Sequence, residues 1–347
     1  MHRWIRPLVF GTVLGVGAET RGVAAEYAGA TAPQGVVAAQ LALGLHGAAF
    51  PLIEAAPLVG QIVEHSGVQV TLGSVAAEAK AQLEAGRRYY VEILSGPWEG
   101  ERFDLDSGAT QALPGAGEVA LDLGPQSFST LRSLPDGALN GAQAAVRSHV
   151  RLRDLPAMFS PGLRGHNNAA LADAVRLYGP GGFRTYYLRG DGVTWREPGR
   201  TVDESSRVLP PDESILVQLV SGPQRWLHAG LVRTNAFRKN LAAGIQTFAT
   251  GYPVNLSPAA VGAFVDPAAD VSDRWTGNNN AAAADRWQLL NAARTGFDDY
   301  QLRGDGVTWM AVTGGPDVSS TPLLSGTGLT VLRRVKPDNG YLIAPPF

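Results

Sequence analysis

Two stretches of this chain carry residue types that could do chemistry in the same order: Leu188–Trp195 and Leu302–Trp309 both read LRGDGVTW. Each contains Arg-Gly-Asp, at Arg189-Gly190-Asp191 and Arg303-Gly304-Asp305, a tripeptide that adhesion receptors read on an exposed loop. The same Gly-Asp-Gly run is turn chemistry, in which Gly supplies a positive φ and Asp bonds its own backbone. The turn reading is favoured, and it also accounts for the run occurring twice. Trp195 and Trp309 close the octapeptides, and Trp98 follows the turn signal Ser95-Gly96-Pro97. An aromatic beside a turn on a β scaffold can stack on a sugar ring, yet large rings fill cores more often than sites. Trp98 is the better exposed candidate of the three. The candidate binding set is Trp98, Arg189, Asp191, Trp195, Arg303, Asp305 and Trp309, with a glycan or a protein as ligand.

Other groups offer less. Asp298-Asp299 are neighbours on an expected strand and face opposite sides, so they cannot share a proton or a substrate. The run Glu99–Glu101 gives no acid–base pair. Gly165-His166-Asn167-Asn168 and Gly277-Asn278-Asn279-Asn280 each precede an acidic residue, Asp173 or Asp285. Asn that caps turns explains them, and calcium would want more carboxylates. Six histidines show no zinc spacing, cysteine is absent, and there is no Gly-x-Ser-x-Gly elbow. Gly115-Ala116-Gly117 lies before a strand rather than between strand and helix, so it is no dinucleotide fingerprint. No catalytic residue, metal site or cofactor is expected.

The elements that position these residues are strands. The 347 residues include 42 Gly and 23 Pro with only 17% charged residues, the composition of many turns between short segments. Leu188 recurs as Leu302, 114 positions on, and the same offset carries Phe183 to Phe297, Tyr186 to Tyr300 and Ile215 to Leu329. Val175 and Leu177 alternate with Arg176, as Trp287 and Leu289 do with Gln288, which is period-two strand patterning. Ile215, Val217 and Leu219 give a further strand, matched by Leu329, Val331 and Arg333. Ahead of these, Val68, Val70 and Leu72 follow a Ser66-Gly67 turn, while Tyr89, Val91 and Ile93, then Val119, Leu121 and Leu123, alternate in the same way. Short helices are expected at 75–83 and after Ser257, where Ser caps and Pro258 takes the first helical position.

The spans implied are a signal peptide over 1–25, an N-terminal β unit over 26–119, and repeat units over 120–233 and 234–347. The fold class is all-β with minor helix: tandem β-sandwich or barrel-like units with an internal duplication. The basic start Met1–Arg6, the apolar run Pro7–Ala18 and the small residues Val23-Ala24-Ala25 predict cleavage before Glu26. No stretch reaches the ~20 apolar residues of a membrane helix, so no membrane span is expected. The net charge of −2 and scattered Lys and Arg leave no footprint for nucleic acid. Export without cysteine suggests a bacterial periplasm, cell surface or extracellular location.

The order of a secreted N-terminus, the segment from Tyr89-Tyr90-Val91-Glu92 through Ser95-Gly96-Pro97 to Phe103-Asp104, two Tyr-strand and Trp-turn repeats, the link Tyr252-Pro253-Val254-Asn255-Leu256-Ser257-Pro258 and the ending Ala344-Pro345-Pro346-Phe347 resembles a paralogous family of signal-peptide-bearing proteins from Verrucomicrobia. The chain departs from it at Ile245-Gln246 and at Thr250-Gly251. The resemblance implies secretion and this architecture and carries no functional residues with it. The sequence therefore points to an exported, non-enzymatic β-rich structural or binding protein of the envelope, surface or matrix. The alternatives are a secreted glycan-active enzyme and an adhesin using its Arg-Gly-Asp turns.

Overall fold

In the computed structural model the described residues are 33–75, 83, 86–111, 117–123, 134–179, 181–211, 213–239, 241, 243–266, 275–322, 328–334 and 341–346. The span expected as a signal peptide and most of the helix expected over 75–83 lie outside them. Among the described residues strand accounts for 44% and helix for 4%, the all-β class that the alternation implies.

Three strands come first: β1 (Gln34–Leu41), β2 (Gly44–Ala49) and β3 (Leu52–Ile53). The chain then builds a closed six-stranded barrel from β4 (Leu58–Ser66), β5 (Gln69–Gly73), β6 (Tyr89–Ile93), β7 (Arg102–Gln111), β8 (Val119–Leu123) and β9 (Gln143–Ser148), closed by pairing of β4 with β9. Next follow β10 (Val150–Arg151), β11 (Phe159–Ser160), β12 (Ala174–Gly179), β13 (Gly182–Leu188), β14 (Trp195–Arg196), β15 (Val208–Leu209), β16 (Ser214–Leu219) and β17 (Gln224–Val232). The last group is β18 (Phe237–Lys239), β19 (Gly244–Phe248), β20 (Arg286–Leu290), β21 (Phe297–Leu302), β22 (Trp309–Ala311), β23 (Leu329–Arg333) and β24 (Tyr341–Ile343).

The barrel's inward positions are the apolar halves of the alternating strands. Ile62, Val70, Leu72, Val91, Ile93, Val119, Leu121 and Val146 all lie in one buried cluster. Curvature has a local cause. A register shift between Ile62 and Glu64 pushes Val63 out of the β4–β5 ladder, and such a bulge bends and twists a strand. Beside it Gly60 lies so close to Gly73 that a Cβ there would meet the Gly73 carbonyl at 2.6 Å.

Strand pairing draws different borders from the spans read in the sequence. β2 pairs along its whole length with β16, and β1 pairs with β17, so residues 34–53 belong with the first LRGDGVTW unit rather than with the barrel. The barrel in turn takes β8 and β9, up to Ser148, from beyond the expected border at 119. The chain thus leaves the first unit after β3, makes the barrel and returns at β10. The first unit is a sandwich: the sheet β14-β13-β12-β16-β2 and the sheet containing β1, β17, β11 and β3 share one core, which includes Val37, Leu41, Val175, Tyr186, Trp195, Val217 and Trp226.

The second unit repeats the larger sheet strand for strand as β22-β21-β20-β23-β19, and β18 pairs with β24 where β1 pairs with β17. Its core gathers Trp275, Trp287, Trp309, Leu302, Phe248 and Val331. The corresponding strands β2 and β19 both open on a left-handed glycine, Gly44 at φ +109° and Gly244 at φ +101°. The helix expected after Ser257 is only a turn: Ala260 N–H donates to Ser257 Oγ, and Gly262 at φ +71° ends it. Among the described residues helix is confined to short 3-10 segments, Leu152–Met158 and Ala169–Leu171.

Candidate functional site

The Arg-Gly-Asp runs sit in matching loops between β13 and β14 and between β21 and β22. In the first, Val193 and Thr194 N–H donate to Asp191 Oδ1 at 3.0 and 2.9 Å, and the Thr194 hydroxyl donates to Oδ2 at 2.6 Å. The Thr194 hydroxyl, then the Thr194 and Val193 amides, hold the Asp191 carboxyl down to about 2. In the second loop Val307 and Thr308 N–H donate to Asp305 Oδ1 at 3.0 and 2.9 Å. Gly192 and Gly306 take φ of +74° and +77°, as the turn requires. Each aspartate is exposed but folded back on its own loop. Arg189 reaches the Tyr187 hydroxyl at 3.2 Å, and Arg303 is half-buried. The tips present Val193 and Val307, 61% and 59% exposed.

The tryptophans of the candidate set stand elsewhere. Trp195 and Trp309 are 0% and 1% exposed, so neither can stack on a ligand at the surface. Their placement corrects their inclusion as binding residues and follows from size, since burying an indole is among the largest single gains a core can make. Trp309 packs with Trp275 and Trp287, its ring centroid 5.6 and 5.0 Å from theirs. The backbone of each buried indole is pinned by a serine that the sequence reading missed. Trp195 N–H donates to Ser205 Oγ, which donates to the Val193 carbonyl, and Trp309, Ser319 and Val307 repeat the arrangement. The signal was legible as Asp-x-Ser at 203–205 and at 317–319, at the same offset of 114. Trp98 is half-buried against the barrel core, with the Arg238 guanidinium 6.0 Å from its ring centre.

The Asn loops and their aspartates form a second matched device. Asp173 is 0% exposed and accepts from Arg164 N–H at 2.7 Å, Val220 N–H at 2.8 Å and the Ser221 hydroxyl at 2.9 Å. Asp285, also 0% exposed, accepts from Thr276 N–H at 2.7 Å and Arg334 N–H at 2.6 Å, with Arg333 Nε at 3.3 Å. Burial raises the Asp285 carboxyl above the usual carboxylate range, against the pull of Arg333. These oxygens face N–H and O–H donors, which is the environment of a structural staple and not of a cation. Asn167 Oδ1 accepts Gly190 N–H and Asn279 Oδ1 accepts Gly304 N–H, so each Asn loop is tied to its Arg-Gly-Asp loop. The contact explains the glycines that begin these loops. A Cβ on Gly165 would lie 1.9 Å from the Arg189 carbonyl, and one on Gly277 2.3 Å from that of Arg303.

The densest polar chemistry lies where the barrel meets the two units. Glu92 on β6, 0% exposed, accepts from Arg147 Nε at 2.6 Å and ion-pairs with Arg233, itself 2% exposed. Arg147 Nη1 also donates to the Glu54 carbonyl at 2.7 Å. The hairpin between β6 and β7 clasps the start of the second unit: Arg238 N–H of β18 donates to the Gly100 carbonyl, Ala236 N–H to Glu99, and Arg102 to the Arg238 carbonyl. The run Glu99–Glu101 therefore serves this joint. Asp299 bonds Gln288 and Arg286 on the neighbouring strand, while Asp298 is exposed.

Beside the joint lies a cleft of about 20 Å³ lined by Phe50, Glu54, Tyr90, Ser148, His149 and His228 among others. That is room for one water. His149 Nε2 lies 2.7 Å from Asp104 Oδ1, and the Ser148 hydroxyl donates to Glu54. His228, 5% exposed between Phe50 and Trp226, is pushed down to about 4 by burial. None of these residues was singled out from the sequence. The one available signal was Glu92, a carboxylate inside the apolar run Tyr-Val-Glu-Ile. Among the described residues no group of three or more His, Asp or Glu could hold a metal ion, and no helix is long and apolar enough to cross a membrane. No protein-family model, curated protein or solved structure matches the chain.

Proposed function

We propose that the chain is an exported, non-enzymatic β-rich structural or binding protein of the cell envelope, surface or matrix. In this reading two duplicated sandwich units are joined through a barrel inserted into the first. One observation carries it: the repeated residues that look chemical are committed, in both units, to the same internal bonds. Asp191 and Asp305 cap their own loops, Asp173 and Asp285 staple buried amides, and Trp195 and Trp309 fill cores. The buried Glu92 cluster joins barrel to linker, which suits a rigid spacer or scaffold. A glycan-active enzyme would need two carboxyl groups roughly 5–9.5 Å apart across a cleft that admits a sugar ring. The cleft at the joint admits a water. The family resemblance and the leader-like N-terminus support export.

Fractionation of the native bacterium, followed by identification of what co-purifies, tests this reading. Recovery in the periplasm or at the surface with envelope or matrix material is expected. Recovery in the cytosol, or turnover of a glycan by the purified protein, overturns it.

A further inference from the structure

β1 is an eight-residue strand, Gln-Gly-Val-Val-Ala-Ala-Gln-Leu, with no charged residue, no proline and no break in its register against β17. It stands at the end of its sheet, in the order β1-β17-β11. Val232 N–H donates to the Pro33 carbonyl across the ladder, so residue 33 belongs to a hydrogen-bonded pair. Antiparallel pairs alternate, so 35, 37, 39 and 41 also bond inward to β17. Gln34, Val36, Ala38 and Gln40 then aim their N–H and C=O groups away from the sheet. Among the described residues nothing pairs with that outer edge. Val36 is 65% exposed, and Gln34 and Gln40 are exposed with it.

Corresponding edges elsewhere are blunted in the ways that protect native sheets. β18, the counterpart of β1, is three residues long, carries Arg238 and Lys239, and has its outer N–H taken by Gly100 of the barrel hairpin. The edge strands β14 and β22 are two and three residues long. The β2 edge is covered by the second unit, where a Cβ on Gly328 would lie 3.0 Å from the Ala48 carbonyl. The barrel hairpin thus closes this edge position in one unit, while the longer and neutral strand leaves it open in the other.

We infer that the outer edge of β1 is an interaction surface for a second copy of this chain, pairing β1 with β1 antiparallel about a two-fold axis through Val37. That register is the one in which the strand complements itself. It sets Gln34 opposite the partner's Gln40 and Val36 opposite the partner's Ala38, so every outward residue meets an outward residue. Amide side chains face amide side chains, apolar faces apolar, and no charge opposes another. The contact is isologous and closes at two copies, fusing the two sheets containing β1 into one. The inference stands apart from where the protein resides, and it survives if the envelope reading fails.

The protein as purified from its host is measured by sedimentation and light scattering across concentration, with residue-level amide exchange. A concentration-dependent mass of two chains and protection at 34, 36, 38 and 40 are expected. Ala38→Pro removes an N–H that does not serve β17, and Val36→Lys adds a charge to the edge while leaving the backbone intact. Each variant should run at the mass of one chain, with unchanged circular dichroism and with that protection lost. If Ala38→Pro does not fold, Val36→Lys carries the test alone. A single-chain mass for the unsubstituted protein at every concentration overturns the inference, as does a two-chain mass that persists in the folded variants. Protection of the edge at single-chain mass also overturns it, because another strand would then occupy the site.

Discussion

Glu92 carries the charge balance of the joint, and its replacement by Gln has a magnitude that follows from burial. Its carboxylate is 0% exposed, and the side chains of its partners Arg147 and Arg233 are 9% and 2% exposed. Exposed ion pairs contribute about 0–1 kcal/mol, whereas removing one partner of a buried pair costs about 3–5 kcal/mol because the remaining charge stays dry. Arg147 keeps its bond to the Glu54 carbonyl, which places Glu92→Gln near the lower end, at about 3 kcal/mol. At about 2–4 °C per kcal/mol this lowers the melting temperature by roughly 6–12 °C. Urea unfolding followed by tryptophan fluorescence, with calorimetry, measures both. Replacing all three groups together, Glu92→Met with Arg147→Leu and Arg233→Met, should recover most of the loss, since apolar packing matches a buried ionic cluster. A loss within about 0.5 kcal/mol for Glu92→Gln alone, the size of a surface substitution, would refute a dry joint.

Three further outcomes are expected. Trp309→Ala should destabilise by about 3–5 kcal/mol in equilibrium unfolding, as loss of a 1%-exposed indole implies, while a glycan panel read by the fluorescence of the remaining tryptophans shows no change between the variant and its parent. His228 is neutral in the fold until pH falls to about 4, whereas its unfolded form protonates near 6.5. Its stabilising contribution is therefore full above 6.5 and is lost as pH falls from 6.5 to 4, on the order of 3 kcal/mol. His228→Leu should flatten that limb of the stability–pH curve, and an unchanged slope would count against a buried neutral imidazole. Gly165→Ala and Gly277→Ala force a Cβ onto a carbonyl at 1.9 and 2.3 Å, so each should cost about 1–3 kcal/mol in urea unfolding.

The strands were legible because period-two alternation is set by one buried face. Val175 and Leu177, Tyr186 and Leu188, and Ile215 to Leu219 fall in β12, β13 and β16, and their counterparts fall in β20, β21 and β23. The octapeptide was legible as a turn because Gly-Asp-Gly states its own backbone conformation. The barrel's insertion was not legible, since β2 pairs with a strand some 170 residues later and shares with β19 little beyond a leading glycine. Period two says which face is buried and never which strand lies alongside. The joint was hidden for a related reason. Glu92 stands out only by its apolar neighbours, Arg147 and Arg233 read singly as surface charges, and the three meet only where barrel strands β6 and β9 pack against the end of β17. Arg333 stands where the first unit has Leu219, and the position stays buried because Asp285 and the Trp275 ring, 4.2 Å from its guanidinium, receive the charge.

The repeated signature holds the fold. Equilibrium unfolding of Asp191→Ala with Asp305→Ala tests it, compared with Asp298→Ala as an exposed acidic control. The paired variant should unfold at clearly lower urea, because the Val and Thr donors of each loop lose their acceptor, and cell attachment should not change. A midpoint equal to that of Asp298→Ala, together with lost attachment, would contradict the claim.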